Sequence, residues 1–131
     1  MQESKEKTIS IITVVKNAES TIERTIQSVL NQNYSNIEYI IVNGYSTDKT
    51  NEILEKYKDK INLIINKKDG GIWEAMNIGL EKATGDIVGF INADDYYYNG
   101  ALKIANHYFS SHQIDFLFGA VDKYKLMHGY K

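Results

Sequence analysis

Two adjacent carboxylates, Asp94 and Asp95, are the residues of this chain whose type and position best support chemistry. They follow residues 87–92, an apolar run bounded by turn residues, which predicts a strand buried on both faces of a sheet. Paired carboxylates are hard oxygen ligands that suit Mg²⁺ or Mn²⁺ completed by substrate phosphates. The pair therefore predicts a divalent-cation site. The same residues also fit a solvated strand-to-helix turn in which one aspartate caps the helix.

Polar side chains also lie at the ends of the other predicted strands. They are Asn17 after the first strand, Asn43, Ser46 and Asp48 after the second, Lys67 and Asp69 after the third, and Asn92 just before the acids. In open parallel sheets, ligands bind beyond the carboxyl ends of the strands. These residues therefore predict one shared site with the acid pair, and the alternative is a set of separate solvated loops.

The elements that must position these residues follow from hydrophobic periodicity. Apolar and β-branched runs predict five strands, at residues 8–15, 37–42, 61–65, 87–92 and 114–119. Four segments with helical spacing of apolar residues lie between them. Regular β-α alternation predicts a Rossmann-like α/β fold, with a mostly parallel sheet and helices on both faces.

Local signals set the expected helix boundaries. The first helix is predicted to begin at a capping box, in which Ser20 and Glu23 each bond the backbone N–H of the other. In the third helix, Ile72, Met76 and Leu80 recur on one side. The first feature marks the start of a helix, and the second marks the apolar side of another.

Several familiar motifs are absent from the sequence. No GxGxxG follows the first strand, which argues against nicotinamide cofactors, and no GxxxxGK[ST] P-loop is present. The three histidines, His107, His112 and His128, lack metal-ligand spacing. Gly70 and Gly71 precede the third helix, where they fit either a plain turn or backbone N–H groups that approach a phosphate.

The composition indicates one globular domain over residues 1–131, with residues 1–7 expected to be disordered. Hydrophobic residues make up 43% and the net charge is −2, which excludes a disordered chain and a basic nucleic-acid-binding face. There is no cysteine, so disulfide and thiol chemistry are excluded. No apolar stretch reaches the roughly 20 residues that span a bilayer, and no signal-peptide core is present. We therefore expect no transmembrane segment and a cytoplasmic protein.

Five ordered segments make this chain resemble the nucleotide-binding half of family 2 glycosyltransferases, which have the GT-A fold. The segments are SIITVVKNAESTIERTIQSVLNQ, IEYIIVNGYSTDKT, KKDGGIWEAMNIGLEKATGD, GFINADD and YYYNGAL. Their order and spacing match the family from about residue 8 to about residue 119. Five segments in order are specific, whereas an acid pair alone is not.

The resemblance implies a nucleotide-sugar donor, a UDP-sugar or a similar molecule, and an inverting, metal-assisted transfer to a glycan or lipid-linked acceptor. Mn²⁺ or Mg²⁺ would be the cofactor, and a peripheral position at the inner membrane face would also be compatible. The residues implied for donor binding are Val14, Val15, Asn17, Asn43, Ser46, Asp69, Asn77, Asp94 and Asp95. Among them, Asp95 would ligate the metal and Asp94 would lie beside the ribose or the metal.

Three departures from the family pattern qualify these expectations. Asn43 stands where the family usually has an aspartate that contacts the base, and an amide both donates and accepts. If the assignment holds, Asn43→Asp should strengthen selectivity for uracil. Tyr45 replaces a usual small residue and should narrow the pocket. The half that holds the acceptor site and catalytic base is expected to be missing, and no base is identified.

These observations leave alternatives to a glycosyltransferase or a part of one. One is a donor-binding or assembly module without catalysis, completed by another chain. Another is a nucleotidyltransferase, which would usually carry a glycine-rich basic loop where this chain has residues 16–19, KNAE. We also expect a homodimer, because a shortened sheet would expose apolar surface.

Overall fold

The computed structural model describes residues 6–68 and 70–117. Its elements are the strands β1 (Ile9–Val15), β2 (Ile37–Asn43), β3 (Leu63–Asn66) and β4 (Ile87–Phe90), and the helices α1 (Ile22–Leu30), α2 (Thr50–Tyr57), α3 (Ile72–Lys82) and α4 (Ala101–Ser111). A short 3₁₀ turn, Lys58–Lys60, follows α2. None of the helices in these ranges is long and apolar enough to cross a membrane.

The four strands form one parallel sheet in the order β3-β2-β1-β4. In this register Val15 lies opposite Asn43, and Asn43 lies opposite Asn66. All four strands therefore end at the same side of the sheet, which we call the carboxyl edge. The predicted α/β fold with a parallel sheet is confirmed.

Helices cover both faces of the sheet. On one face, α1, α2 and α4 contribute Ile26, Leu54 and Leu102 to the main core. On the other face, α3 packs Ala75 against Ile12 and its neighbours in β2. A Cβ atom on the α3 residue Gly79 would lie 2.6 Å from Ile12 Cγ2, so this close approach requires glycine.

Strand β4 is not buried on both faces, contrary to the prediction. Val88 and Phe90 are 37% and 42% exposed. In the register these residues lie opposite Ser10 and Ile12, which places them on the face that α3 covers. Among the residues that the structure describes, β4 is an edge strand and α3 lies over β1 and β2, so the α3 side of β4 is only partly covered.

The buried side of α3 also differs from the apolar pattern. Its buried residues are Ala75 and Gly79, whereas Ile72 and Leu80 are 50% and 46% exposed. Small residues face the sheet because the helix packs closely on it. The large apolar residues therefore lie to one side of the contact.

The capping box predicted at the start of α1 is wrong. The helix begins at Ile22 with Thr21 in the N-cap position, and no side chain caps it. This start moves Glu23 out of the third helical position that a capping box requires. The Glu23 carboxylate instead accepts hydrogen bonds from Lys56 Nζ at 2.7 Å and Tyr57 Oη at 2.6 Å, which join α1 to α2.

Two expectations fall partly outside the described residues. Of the predicted fifth strand, residues 114–117 are described and are not a strand, and Phe116 is 80% exposed because nothing in the described ranges packs over it. Residues 118–119 lie outside those ranges, as do residues 1–5 of the segment expected to be disordered. Within that segment, the Lys7 amide donates to Asn106 Oδ1 at 3.0 Å.

Candidate functional site

The ends of β1 and β2 are joined by side chains that the sequence assigned to the site. The Asn17 amide donates to Ser46 Oγ at 2.9 Å. Asn17 Oδ1 in turn accepts from the Thr47 amide at 2.7 Å and from the Asp48 amide at 3.3 Å. Asn17 has a positive φ of 52°, which is tolerated best by asparagine among residues with a side chain. The two loops are therefore held together as one unit.

Asn43 is the buried residue at the centre of this unit, and it is only 1% exposed. Its Nδ2 donates to Asn51 Oδ1 at 2.6 Å and to Asn66 Oδ1 at 2.9 Å. Its Oδ1 accepts from Ser46 Oγ at 2.7 Å. We call Asn43, Asn51 and Asn66 the asparagine triad. Because both donors and the acceptor of Asn43 are used, its amide is fixed in one orientation.

A cavity of about 490 Å³ opens beside the triad. Its lining combines the triad with apolar and charged side chains: Asn43, Tyr45, Ser46, Asn51, Leu54, Glu55, Lys58, Ile64 and Asn66. Tyr45 has a positive φ of 53° and is 57% exposed. The volume and the mixture of apolar walls with a few polar groups are typical of a small-molecule site.

The second part of the site is the acid loop, residues 91–100, between β4 and α4. Both carboxylates, Asp94 and Asp95, are exposed at the carboxyl edge. The loop backbone is held by α1, whose buried Thr25 Oγ1 lies 2.9 Å from the Ala93 carbonyl oxygen and 2.5 Å from that of Asp95. Ser28 Oγ accepts from the Tyr97 amide at 3.1 Å. The loop is thus positioned through its backbone, and its acids remain accessible.

Gln32 and Arg24 complete this support. Gln32 Nε2 donates to the Tyr98 carbonyl at 3.0 Å, and Gln32 Oε1 accepts from the Leu102 amide at 3.2 Å. The Arg24 guanidinium lies 4.6 Å from the ring centroid of Tyr96 and donates to the Asp94 carbonyl at 3.3 Å. Both residues therefore fix the loop on either side of the acids.

Sequence reasoning missed the polar residues that support the acid loop. Thr25 and Ser28 of α1 and Gln32, two residues beyond its end, recur at positions i, i+3 and i+7, which places them on one side of the helix and its extension. Polar residues at this spacing on an amphipathic helix are the signal that would have found them. The Asn51 and Asn66 partners of Asn43 had no such signal, because they come from separate elements.

The remaining predicted residues divide between the core and the surface. Val15 is buried in the main core, and Val14 packs on the face covered by α3. Asn77 is exposed on α3, and Asp69 lies outside the described residues. The Gly70 amide donates to Glu74 Oε2 at 3.0 Å, so this N–H already has a partner within the chain and is not offered to a phosphate.

The charge of the loop after β2 is stabilised by hydrogen bonds. Partial desolvation raises the pKa of the Asp48 carboxyl, but hydrogen bonds from Thr50 and Glu19 outweigh this effect and lower the pKa below its usual value. One of these bonds joins Asp48 Oδ1 to the Thr50 amide at 2.9 Å, at the first residue of α2. Asp48 therefore carries its negative charge beside the N-terminus of α2, where the helix dipole favours an anion.

The acid pair fits a divalent cation by the chemistry of its donors. Two exposed carboxylates supply hard oxygen ligands at one point, and such ions usually take one or two carboxylates plus substrate phosphates. The structure, where it describes the chain, holds no cluster of three or more acidic, histidine or cysteine ligands. The pair would thus need oxygen atoms of a substrate to complete the coordination.

The four-stranded parallel sheet with an acid pair beyond its edge strand agrees with the GT-A class of α/β fold that the sequence resemblance implied. The sequence model for "Glycosyl transferase family 2" matches residues 10–130. The chain therefore belongs to glycosyltransferase family 2, and the resemblance seen in the sequence is confirmed.

Individual relatives agree with this assignment. An uncharacterised glycosyltransferase of Haemophilus influenzae is 41% identical over 79% of this chain and 45% of its own length. The Escherichia coli enzyme WfaP, a UDP-Glc:α-D-GlcNAc-diphosphoundecaprenol β-1,3-glucosyltransferase, is 36% identical over 82% of this chain and 43% of its own.

A solved structure shows the same fold. Staphylococcus aureus TarS (residues 1–349), in complex with UDP-GlcNAc, superimposes with a TM-score of 0.74 and 32% identity over 81% of this chain and 32% of TarS. The chain spans less than half the length of each of these relatives.

Proposed function

We propose that this chain binds a nucleotide-sugar donor, a UDP-sugar, along the carboxyl edge and takes part in transferring the sugar to a glycan or lipid-linked acceptor. The observation that carries the proposal is the position of the acid loop. Exposed Asp94 and Asp95 are held by α1 at the same edge as the cavity beside the asparagine triad. Relatives support the donor class, because TarS is solved with UDP-GlcNAc and WfaP is named for UDP-Glc.

In this proposal, Asp94 and Asp95 hold Mn²⁺ or Mg²⁺ against the donor diphosphate. The ion would neutralise the diphosphate as it leaves. The chain itself keeps both carboxylates in place, because Thr25 and Ser28 bind the loop backbone while the acids stay exposed. Arg24, stacked on Tyr96, adds a positive charge beside the same loop.

The chemical step would proceed with inversion of the sugar. An inverting transfer needs a carboxylate that takes the proton of the acceptor hydroxyl. The proposal assigns none of the described residues to that role. A lipid-linked acceptor would place the protein at the inner face of the membrane, and a glycan acceptor would allow a cytoplasmic location.

A second candidate is a donor-binding module without its own catalysis. The absence of an assigned catalytic base among the described residues favours this alternative. A transfer assay with UDP-sugars separates the two functions. Release of UDP that depends on an added acceptor supports the enzyme, and donor binding without turnover supports the module.

Titration calorimetry with UDP and GDP, with and without Mn²⁺, tests donor binding. We expect binding that requires the ion and is weakened at least tenfold in Asp95→Asn, since the variant removes a charged metal ligand. Asp59→Asn is the matched control, because Asp59 is an exposed acid in the 3₁₀ turn at the far end of α2. Equal affinity without metal, or an unaffected Asp95→Asn variant, would refute the site.

We also propose a homodimer that covers the open side of β4. Val88 and Phe90 are exposed there, and β4 is an edge strand of the described sheet. Burial of such surface stabilises association. Light scattering at high protein concentration should give twice the chain mass, and Phe90→Glu should give the monomer. A monomeric wild type would contradict this proposal.

A further inference from the structure

The three amides of the asparagine triad have a defined direction. Asn51 Nδ2 donates to the Ser46 backbone carbonyl at 2.8 Å, and a carbonyl oxygen only accepts. Asn51 must therefore present its Oδ1 to Asn43, at 2.6 Å from Asn43 Nδ2. The orientation of a side-chain amide follows from its partners, and here the first partner is backbone.

The same direction continues to Asn66. With its Nδ2 facing Asn51, Asn43 turns its Oδ1 towards Ser46, where it accepts from the hydroxyl at 2.7 Å. The second hydrogen of Asn43 Nδ2 is donated to Asn66 Oδ1 at 2.9 Å. Asn66 consequently points its own NH₂ group away from Asn43. Asn66 is exposed and lines the cavity, so this donor is accessible to a ligand.

The position of Asn66 on the sheet indicates which part of a ligand it meets. Asn66 ends β3, whereas the acid pair follows β4, and these are the two outer strands of the order β3-β2-β1-β4. Three strand spacings separate them, about 14 Å. This span is on the order of an extended nucleoside diphosphate. With the diphosphate at Asp94 and Asp95, the atoms that reach Asn66 belong to the far edge of the base.

We propose that Asn66, oriented by Asn43, recognises the exocyclic keto oxygen of the donor nucleobase. This inference rests on the proposed function and deepens it. Uracil and guanine carry a keto oxygen at this edge, where cytosine and adenine carry an amino group. The NH₂ group of Asn66 donates a hydrogen bond to the keto oxygen, whereas it cannot bond to the amino group, which is also a donor. Asn43 acts as a positioning residue, since its polar atoms are bonded within the protein.

A carboxylate at position 43 tests the role of Asn43 without changing Asn66. In Asn43→Asp the side chain only accepts, so Asn66 must rotate its amide to donate to it. The Oδ1 of Asn66 then faces the cavity and favours an amino group. The triad therefore predicts that Asn43→Asp moves the base preference towards cytosine or adenine. The family resemblance predicts the opposite, a stronger preference for uracil.

The experiment measures affinities of the full chain with Mn²⁺ for UDP, CDP, GDP and ADP by titration calorimetry. In the wild type we expect UDP to bind about tenfold more tightly than CDP, or GDP more tightly than ADP. This affinity ratio corresponds to one hydrogen bond that the keto base forms and the amino base does not. Asn43→Asp and Asn66→Asp should bring that ratio to one or below. Asn66→Ser, whose shorter side chain withdraws the donor from the ligand, should bring it close to one, and a single cooperative melting transition would show that the variant is folded.

Asn31→Asp is the matched control, because Asn31 is exposed at the end of α1, opposite the carboxyl edge. It should keep the wild-type ratio. A ratio that rises in Asn43→Asp, or that stays unchanged in all three variants at positions 43 and 66, overturns the inference and leaves donor binding intact. A wild type that binds none of the four nucleotides with Mn²⁺ overturns the proposed function, and this inference with it.

Discussion

The two ends of the carboxyl edge are built in opposite ways. At the β2 and β3 end, the asparagine triad is bonded side chain to side chain, and its central residue Asn43 is 1% exposed. At the β4 end, α1 binds the backbone of the acid loop, and the side chains of Asp94 and Asp95 are exposed. The first arrangement fixes the direction of polar groups, and the second leaves charge accessible.

The two ends should therefore respond differently to substitution. Removing a triad side chain leaves buried polar atoms without partners, which is costly. Removing an exposed acid leaves the loop backbone bonded as before. Stability should therefore depend on the triad, and ion binding should depend on the acids.

The largest expected effect is on stability at the triad. Asn43→Ala should lower the free energy of unfolding by about 3 kcal/mol, because it removes the buried hydrogen bonds of the Asn43 side chain and opens a small cavity. Asp94→Ala should change it by no more than about 0.5 kcal/mol, as expected for an exposed side chain. Urea denaturation of both variants measures the contrast. Equal losses in the two variants would contradict the division between the ends.

The next effect concerns the support of the acid loop. Thr25→Val should lower the free energy of unfolding by about 2 kcal/mol, because it leaves the buried carbonyl contacts of the Thr25 hydroxyl unmade. It should also weaken Mn²⁺-dependent UDP binding, since the acids lose their fixed position. Thr21→Val is the control, because the Thr21 side chain makes no capping bond to α1. If Thr25→Val binds UDP as the wild type does, the loop does not need this support.

A smaller effect is expected from pH. Burial raises the pKa of the Glu38 carboxyl, but hydrogen bonds from Ser10 and Thr84 outweigh this and lower it. The Asp48 pKa is lowered in the same way. Since both folded pKa values lie below the unfolded values of 4.5 and 3.8, the stability that they contribute is complete above about pH 4.5 and is lost as the pH falls through the folded values.

Melting temperatures between pH 6 and pH 3 measure this dependence. We expect a fall below about pH 4.5, and a shallower fall in Glu38→Gln, which keeps an acceptor and does not titrate. Glu81→Gln is the control, since Glu81 is exposed at the end of α3. A Glu38→Gln profile identical to that of the wild type would show that this carboxylate does not set the acid stability.

The smallest effect is expected at Tyr45. A tyrosine at φ 53° is strained by roughly 1–2 kcal/mol, and glycine relieves the strain but loses more backbone entropy on folding. Tyr45→Gly should therefore change the free energy of unfolding by less than about 1 kcal/mol while it widens the mouth of the cavity. Thermal unfolding measures the stability. A loss above about 2 kcal/mol would show that the ring packs as a structural element.

Local patterns in the sequence were sufficient for the elements and for the parallel sheet. Apolar runs located β1 to β4, and their alternation with helices placed the polar strand ends at one edge. Periodicity does not reveal strand order, and order decides that β4 lies at the edge with Phe90 exposed. For the same reason, the sequence did not reveal that the buried side of α3 consists of Ala75 and Gly79 and not of its larger apolar residues.

The site residues show the same difference between local signals and contacts of distant residues. Asp94 and Asp95 were identified because adjacent acids at a strand end are a local signal. The role of Asn43 as a buried centre was not, because its partners Asn51 and Asn66 lie 8 and 23 residues away on different elements. Hydrogen bonds between distant residues follow from the packed structure, and no short pattern encodes them.

The order of the strands has a consequence for how the protein folds. β1 pairs with β2 over a short separation, as in the bond between Ser10 and Glu38, 28 residues apart. Its pairing with β4 closes a much longer loop, as in the bond between Thr8 and Asp86, 78 residues apart. Longer loops cost more entropy to close, and non-local pairings form more slowly. The end of the edge that carries the acids is therefore expected to assemble after the end that carries the triad.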